Sequence, residues 1–352
     1  YSVVSYRKNL FPYPQLKNAY TIVFNDFPAE QLHEDVRENI EADADINNYE
    51  GPVNLNDLVR EGRVIESLTV PFLMRSVDIS SLVEYGFVPI KGPAGGVCSS
   101  GNFIVLFGGQ GNGVLIELDK MTVAGQITIS SIENDQGGDF YGVLDVACDR
   151  DNSSRIAYVV YQTIHLKGED PAARYRTVVG KIDLRNFSNK SLTTAWTSEM
   201  SGPNFAGRLV TLPENKALIT FSDSEPYGAR QANGLFRPDD PDLLIGKVGL
   251  VDFSSGQFEI YSKGHRNPQG LFMTSTGEIY ETEHGPKGGD ELNLIVRGGN
   301  YGWPYESHGV DYGSYRWKHG DAGRHDNFDR PIFAWVPSVA ISNLMKVENF
   351  HS

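Results

Sequence analysis

Basic residues are fewer in this chain than acidic ones. Lys and Arg number 31 against 45 Asp and Glu, a formal charge of −14 at pH 7. That deficit argues against a nucleic-acid or anionic-membrane partner, because both demand a basic surface. Long apolar runs are missing as well. None approaches the roughly 20 residues of a spanning helix, and no charged-then-apolar leader opens the chain at Tyr1, so the chain reads as not membrane-spanning. Cysteine is limited to Cys98 and Cys148. Each closes a similar apolar run, Gly95-Gly96-Val97-Cys98 and Leu144-Asp145-Val146-Ala147-Cys148. A bridge between neighbouring repeats and a pair of buried free thiols both remain open readings.

Glycine and proline are plentiful. With 37 Gly, 18 Pro and 11% aromatic residues, the 352-residue chain has room for a large all-β domain or one domain with an appendage. The most informative stretch runs from Gly264 to Pro304, GHRNPQGLFMTSTGEIYETEHGPKGGDELNLIVRGGNYGWP. Its Gly and Pro residues bracket three strand-length apolar runs, at Gly270–Met273, Glu278–Tyr280 and Leu292–Val296. Between the second and third lies His284-Gly285-Pro286-Lys287-Gly288-Gly289-Asp290-Glu291. Backbone carbonyls freed from a ladder, beside Asp290 and Glu291, suit a hard cation such as calcium. A glycine-rich hairpin with solvated acids explains the same composition.

The runs GHRNPQGL, EHGPKGGDELN and GGNYGWP, in this order and spacing, resemble the signature of the soluble quinoprotein glucose/sorbosone and aldose sugar dehydrogenases. The resemblance implies an all-β fold, a six-bladed β-propeller that binds pyrroloquinoline quinone (PQQ) and calcium (Ca2+) at the top of its channel and oxidises aldoses. On it, Arg266 and Asn267 face the quinone, where a fixed guanidinium stabilises developing negative charge. A structural ion pair of Arg266 with Asp290 is the plainer alternative. The carbonyls of Gly285 and Pro286 match those that hold the cofactor's calcium, a Lewis acid, and His284 flanks the cofactor. Asp290, Gln136 and Ser338 are assigned to the same side, and Glu291 and Tyr301 match a second, structural calcium. A sugar substrate, an electron acceptor and a periplasmic or secreted location, with any signal already removed, follow from the same resemblance.

Residues 1–90 lack the signature and read as a mixed N-terminal extension. Within it Leu32, Val36 and Ile40 put one apolar stripe on a charged helix over Pro28–Ile46. From about residue 91 a repeat emerges, opening at Ala94, Gly142, Ala206, Pro268 and Ser338; intervals of roughly 50 to 70 residues suit propeller blades with long loops. The domains are therefore 1–90 and 91–352. The tail VPSVAISNLMKVENFHS resembles the start of the family's fifth blade, so the last blade and a half is expected to be missing or supplied by a separate C-terminal segment, and the family's cofactor-binding lysine and later arginines would fall beyond Ser352.

Departures from the family pattern concern the base. Sugar oxidation needs a group to take the hydroxyl proton, and the family's histidine is replaced by Asn204 in Pro203-Asn204-Phe205-Ala206-Gly207-Arg208. An amide does not accept a proton near neutral pH. Asp223 matches the acid that orients that histidine; it is a weak base at best, or a turn cap. Gln136-Gly137-Gly138 is followed by extra residues before Tyr141, which leaves the reach of Gln136 open. His308, His319 and His325 lie in a polar loop and fit a substitute base, a metal ligand or plain surface histidines; their spacing matches no standard zinc pattern. Asn152, Asn186 and Asn189 each begin an Asn-X-Ser triplet. Two readings result: a PQQ-dependent sugar dehydrogenase whose catalytic set is Asn204, Asp223 and Arg266, or a propeller that has lost catalysis and binds a protein or glycan.

Overall fold

The computed structural model describes residues 95–129, 138–151, 153–167, 170–223, 231, 233–312, 317, 319 and 323–345, together with four N-terminal strands and Leu82. Those four strands, β1 (Val3–Ser5), β2 (Thr21–Val23), β3 (Val59–Ile65) and β4 (Phe72–Val77), form one antiparallel sheet in the order β1-β2-β4-β3. The helix expected over Pro28–Ile46 lies outside the described residues.

Four further sheets follow, each a four-stranded antiparallel meander in chain order. The first contains β5 (Gly95–Ser100), β6 (Phe103–Gly108), β7 (Asn112–Glu117) and β8 (Thr122–Thr128). The second contains β9 (Asp139–Cys148), β10 (Ile156–Lys167), β11 (Asp170–Asp183) and β12 (Thr193–Thr197). The third contains β13 (Leu209–Leu212), β14 (Lys216–Phe221), β15 (Lys247–Asp252) and β16 (Phe258–Lys263). The fourth contains β17 (Pro268–Met273), β18 (Ile279–Glu283), β19 (Asp290–Ile295) and β20 (Phe333–Trp335). The first strand of each sheet lies beside the first strand of the next, which is the blade arrangement of a propeller.

Side-chain alternation explains why the blades stack. Ala157-Tyr158-Val159-Val160-Tyr161 is apolar at every position, the pattern of a strand covered on both faces. Ala157, Val159 and Tyr161 join Val105, Phe107 and Leu115 of the first blade in one core. Tyr158 and Val160 turn to the other side and join Leu209, Ala217, Ile219 and Phe221 of the third. Leu218, on the opposite face of β14, belongs with Val248, Leu271, Ile279 and Tyr301 in a third core between the third and fourth blades. Each fully buried Val or Leu contributes about 1.5–3 kcal/mol.

Polar and covalent ties cross the same seams. Cys98 on β5 and Cys148 on β9 form a disulfide, with Cα atoms 5.5 Å apart and a sequence separation of 50. Their strands approach so closely that a Cβ on Gly96 would collide with the backbone of Asp145 and Val146. Between the second and third blades, buried Asp145 accepts a hydrogen bond from the Leu209 amide at 2.9 Å and lies 3.4 Å from the Arg208 guanidinium. Burial pushes the Asp145 carboxyl up, against the pull of Arg208. Gln269 of the fourth blade continues the chain, its amide donating to the Phe205 carbonyl at 3.0 Å.

One expected strand is not formed. The fifth opening, at Ser338–Ala340, is irregular: the Ser338 hydroxyl and the Val339 and Ala340 amides all donate to one oxygen of Asp290, at 2.5, 3.1 and 2.7 Å. Amides spent on a carboxylate are not offered to a ladder, and no described strand lies alongside to receive them.

Two outcomes are expected. Closing a loop of 50 residues constrains the unfolded chain by about 4 kcal/mol in the chain-entropy treatment. Changing Cys98 and Cys148 together to Ala should lower unfolding free energy by roughly 2–4 kcal/mol in urea titration; an unchanged midpoint would sink the assignment. Lys247 is 1% exposed and donates to the carbonyls of Asp240 and Ile245 at 2.8 and 3.2 Å. Burial lowers its pKa from 10.5 to about 8. Between those values the unfolded chain holds a proton that the folded chain lacks, so stability rises with pH across that window, by up to about 3 kcal/mol. Lys247→Met should flatten that rise; a slope that persists would show that another group titrates.

Candidate active site

Strand alternation on β18 and β19 puts an unusual set of acids on one face. Glu281 and Glu283 point the same way, and the register sets Glu281 opposite Asn293 and Glu283 opposite Glu291. Carboxylates facing one another across a ladder are unfavourable, so other groups must offset them. Asn293 donates from Nδ2 to Glu281 at 3.0 Å and Glu283 at 3.1 Å. The His265 Nδ1 atom lies 3.4 Å from Glu283 and 3.9 Å from Glu281, and its Nε2 lies 2.8 Å from the Ser262 hydroxyl. The Arg266 amide donates to Glu283 at 2.5 Å. Burial, and then the charge of Glu283, push the Glu281 carboxyl well above the usual carboxylate range. Burial pushes Glu291 up too.

The loop after β18 folds back tightly. A Cβ on Gly285 would collide with the carbonyl oxygens of Gly288 and Gly289, so only glycine permits this gathering of oxygens. The Arg266 guanidinium reaches across and donates from Nη1 to the carbonyls of His284 at 2.9 Å and Gly285 at 2.7 Å. Trp303 supports it from one side, with the guanidinium carbon 5.4 Å from the ring centroid. The indole donates to Asp223 at 2.8 Å. Asp223 also pairs with Arg237 at 2.6 Å, and its amide donates to the Arg266 carbonyl at 2.7 Å. The His284 Nε2 donates to the Ile341 carbonyl, and burial chiefly lowers the pKa of that ring. Arg266, Gly285, Glu283, Glu291, Tyr301, Trp303, Glu306 and His325 all line one small cleft.

The glucose/sorbosone dehydrogenase family model matches residues 112–351. The chain belongs to the glucose/sorbosone dehydrogenase family. It is similar to the aldose sugar dehydrogenase YliI of Escherichia coli K12, 29% identical over 217 residues that cover 58% of this chain and 57% of that one. The quinoprotein glucose dehydrogenase B of Acinetobacter calcoaceticus is 38% identical over 124 residues, 28% of this chain and 25% of that one. The chain thus spans little more than half the length of the first of these relatives and a quarter of the second. In three dimensions it resembles the crystal structure of the apo soluble aldose sugar dehydrogenase of E. coli. That match has a TM-score of 0.56 and 24% identity, and covers 72% of this chain and 75% of that one. A crystal structure of glucose dehydrogenase matches with a TM-score of 0.54 at 23% identity, covering 73% and 72% of the two chains. Both likenesses support the propeller arrangement.

Of the residues singled out in this family member's sequence, Arg266, Gly285, Glu291 and Tyr301 meet at the cleft. Asn267 accepts from Gln269 at 2.8 Å, and Asp290 accepts from the Gly285 amide at 3.2 Å as well as from the Ser338 segment. The Tyr301 hydroxyl donates to the Leu294 carbonyl at 2.6 Å while its ring stacks on His265, centroids 4.8 Å apart. Gln136 lies outside the described residues. Asp223 is 3% exposed and already holds Arg237 and Trp303.

Asn204 does different work from a base. Its Oδ1 accepts from the Ala206 and Ser222 amides, both at 3.0 Å, and its Nδ2 donates to the Thr220 carbonyl at 3.0 Å. Gln162 of the second blade, its amide turned to fit, donates to the Asn204 carbonyl at 3.1 Å and accepts from its amide at 2.9 Å. The Asn204 side chain thus pins the turn before β13 to the end of β14 within the third blade, while the tie to the second blade runs from the Gln162 side chain to the Asn204 main chain.

His265, Glu283, Trp303 and Arg237 are the functional neighbours that the sequence reading passed over. Three of them sit inside the recognised motifs, and the alternation of Glu281, Glu283, Glu291 and Asn293 on adjacent strands was the available signal.

Replacing Asn204 by Ala strands two buried amides, a loss of about 1–3 kcal/mol. Thermal and urea unfolding should both register it; an unaltered midpoint would mean that the amide is not holding the turn before β13 to the end of β14.

Proposed function

We propose that this protein is a quinoprotein sugar dehydrogenase of the aldose type, which binds PQQ with calcium at the cleft and oxidises a sugar at its C1 hydroxyl. The observation that carries this reading is the anchoring of Arg266 to the His284 and Gly285 carbonyls above the indole of Trp303. A guanidinium fixed in this way costs no reorganisation when negative charge develops beside it. The donor set suits the cofactor's metal. A carbonyl has two lone pairs; Arg266 takes one at Gly285 and leaves one for a cation, with the Pro286 carbonyl next in the chain. Carboxylates of Glu283 and Glu291 supply nearby negative charge, as a hard ion prefers. When bound, the quinone and calcium supply a hydride acceptor polarised by a Lewis acid.

The chain's own residues divide the remaining work. Arg266 orients and stabilises, Trp303 blocks one side of the guanidinium, and Asp223 with Arg237 holds Trp303 in place. Proton removal lacks its usual agent, since Asn204 is an engaged amide and Asp223 is ion-paired. Loss of a positioned base lowers turnover by about 10²–10⁴-fold. That same engagement of Asn204 favours a second reading, a propeller that keeps the scaffold and binds a protein or glycan.

We further propose six blades in the closed ring, with residues 91–352 contributing to it and 1–90 as an extension. An apolar face across the fourth blade supports this: Phe272, Tyr280 and Leu294 form one cross-strand row and Leu292 and Phe333 another, with Leu294 and Phe333 exposed. A periplasmic or secreted location accords with the Cys98–Cys148 disulfide. Among the described residues no helix is long and apolar enough to cross a membrane.

The deciding experiment is an optical titration with PQQ and calcium, followed by saturating aldose. Tight binding and bleaching to the reduced cofactor are expected, slowly in the native chain. Binding without any reduction would favour the second reading, and no binding would overturn the dehydrogenase.

A further inference from the structure

The family resemblance places a second calcium at Glu291 and Tyr301, yet the fold brings nitrogen donors to Glu291. His308 and His325 lie 17 residues apart in the long loop between β19 and β20. One ligand atom from each of them and one from Glu291 all fall within 4.8 Å of one another. The His325 Nε2 atom is 3.1 Å from the Glu291 carboxylate. Around a tetrahedral zinc ion with bonds of about 2.0–2.1 Å, ligand atoms stand roughly 3.3 Å apart, so one edge of the site is already at that spacing.

Two further observations point to a ligand. The His325 side chain is 3% exposed and its Nε2 faces the Glu291 carboxylate, while its buried Nδ1 has no hydrogen-bond partner; a buried polar atom left in that state is costly. His308 is held by backbone on either side: Lys287 and Val310 exchange two hydrogen bonds of 3.0 Å, and the Gly323 amide donates to the Ser307 carbonyl at 2.8 Å. The rings of His308 and His325 stack 4.9 Å apart, so both imidazoles are delivered to one place by the loop fold.

We infer that Glu291, His308 and His325 form a binding site for a divalent transition ion of the zinc class. Two imidazoles and one carboxylate are the donor set such ions choose, with a fourth position open to water, whereas calcium takes oxygen ligands almost alone. Bound metal would tie the 308–325 loop to β19 at the wall of the cleft. The inference stands apart from the quinone reading, because its assay contains no PQQ and no sugar.

The test uses the full chain stripped with a chelator, with zinc added in competition with a chromophoric chelator. One zinc per chain is expected, undisturbed by millimolar calcium, together with a raised melting temperature. His325→Gln and the milder, half-buried His308→Gln should each weaken zinc binding by at least about 100-fold, beyond what loss of an outer partner of a ligand usually costs. His319→Gln, elsewhere in the same loop, should leave it unchanged. Circular dichroism of the stripped variants separates a lost ligand from a lost fold. Absence of stoichiometric zinc binding, displacement by calcium, or full affinity in folded His308→Gln would each overturn the site.

Discussion

No blade in this chain can cover both of its own faces. β10 and β14 are buried on either side, and each gives alternate residues to a different neighbour, so the cores lie in the seams and not within the sheets. Every polar tie described above follows from that constraint. A seam has to be dry, and its backbone groups must still be paired. Asp145 with Arg208, Gln162 with Asn204 and Gln269 with Phe205 all meet this need at the edges where the apolar packing stops. The disulfide does the same covalently at the seam where the backbones come closest.

The site rests on the last of these seams. Acids accumulate on one face of β18 and β19, and the fold offsets their repulsion with Asn293, His265 and Arg266, while burial holds the Glu281 carboxyl above its ordinary range. Such an arrangement is stable without an added cation but favours one. Both the calcium reading at Gly285 and the zinc-class reading at Glu291 draw on this excess of negative charge, and both residues line the same cleft.

The blades were largely legible in the sequence, because strand-length apolar runs between glycines and prolines depend on local pattern alone. Four of the five expected openings coincide with or adjoin an inner strand; the fifth does not, since a carboxylate 48 residues away takes the Ser338 hydroxyl and its neighbours' amides. The motif residues were legible through spacing, yet their partners were not. Nothing near Asp223 in sequence announces Trp303, 80 residues on, and the spacing of His308 and His325 gives no hint that Glu291 lies beside them in space. The pairing of Cys98 with Cys148 stayed undecided for the same reason: similar flanking runs suggest equivalent strands, but only the packing of two blades sets their separation. Asn204 is the clearest case. An amide in place of an expected imidazole reads as a deletion of chemistry, whereas its hydrogen bonds show a side chain that braces the turn leading into its own blade.

The anchoring of Arg266 has a consequence for how this protein can diverge. Its guanidinium hangs from main-chain oxygens at His284 and Gly285, atoms that every amino acid possesses. Side chains at 284 and along the lip of the cleft can therefore drift over evolutionary time without moving the positive charge, provided that Gly285 keeps the loop's path. A lineage descended from this chain is free to alter what the mouth of the cleft accepts while its interior charge stays in place.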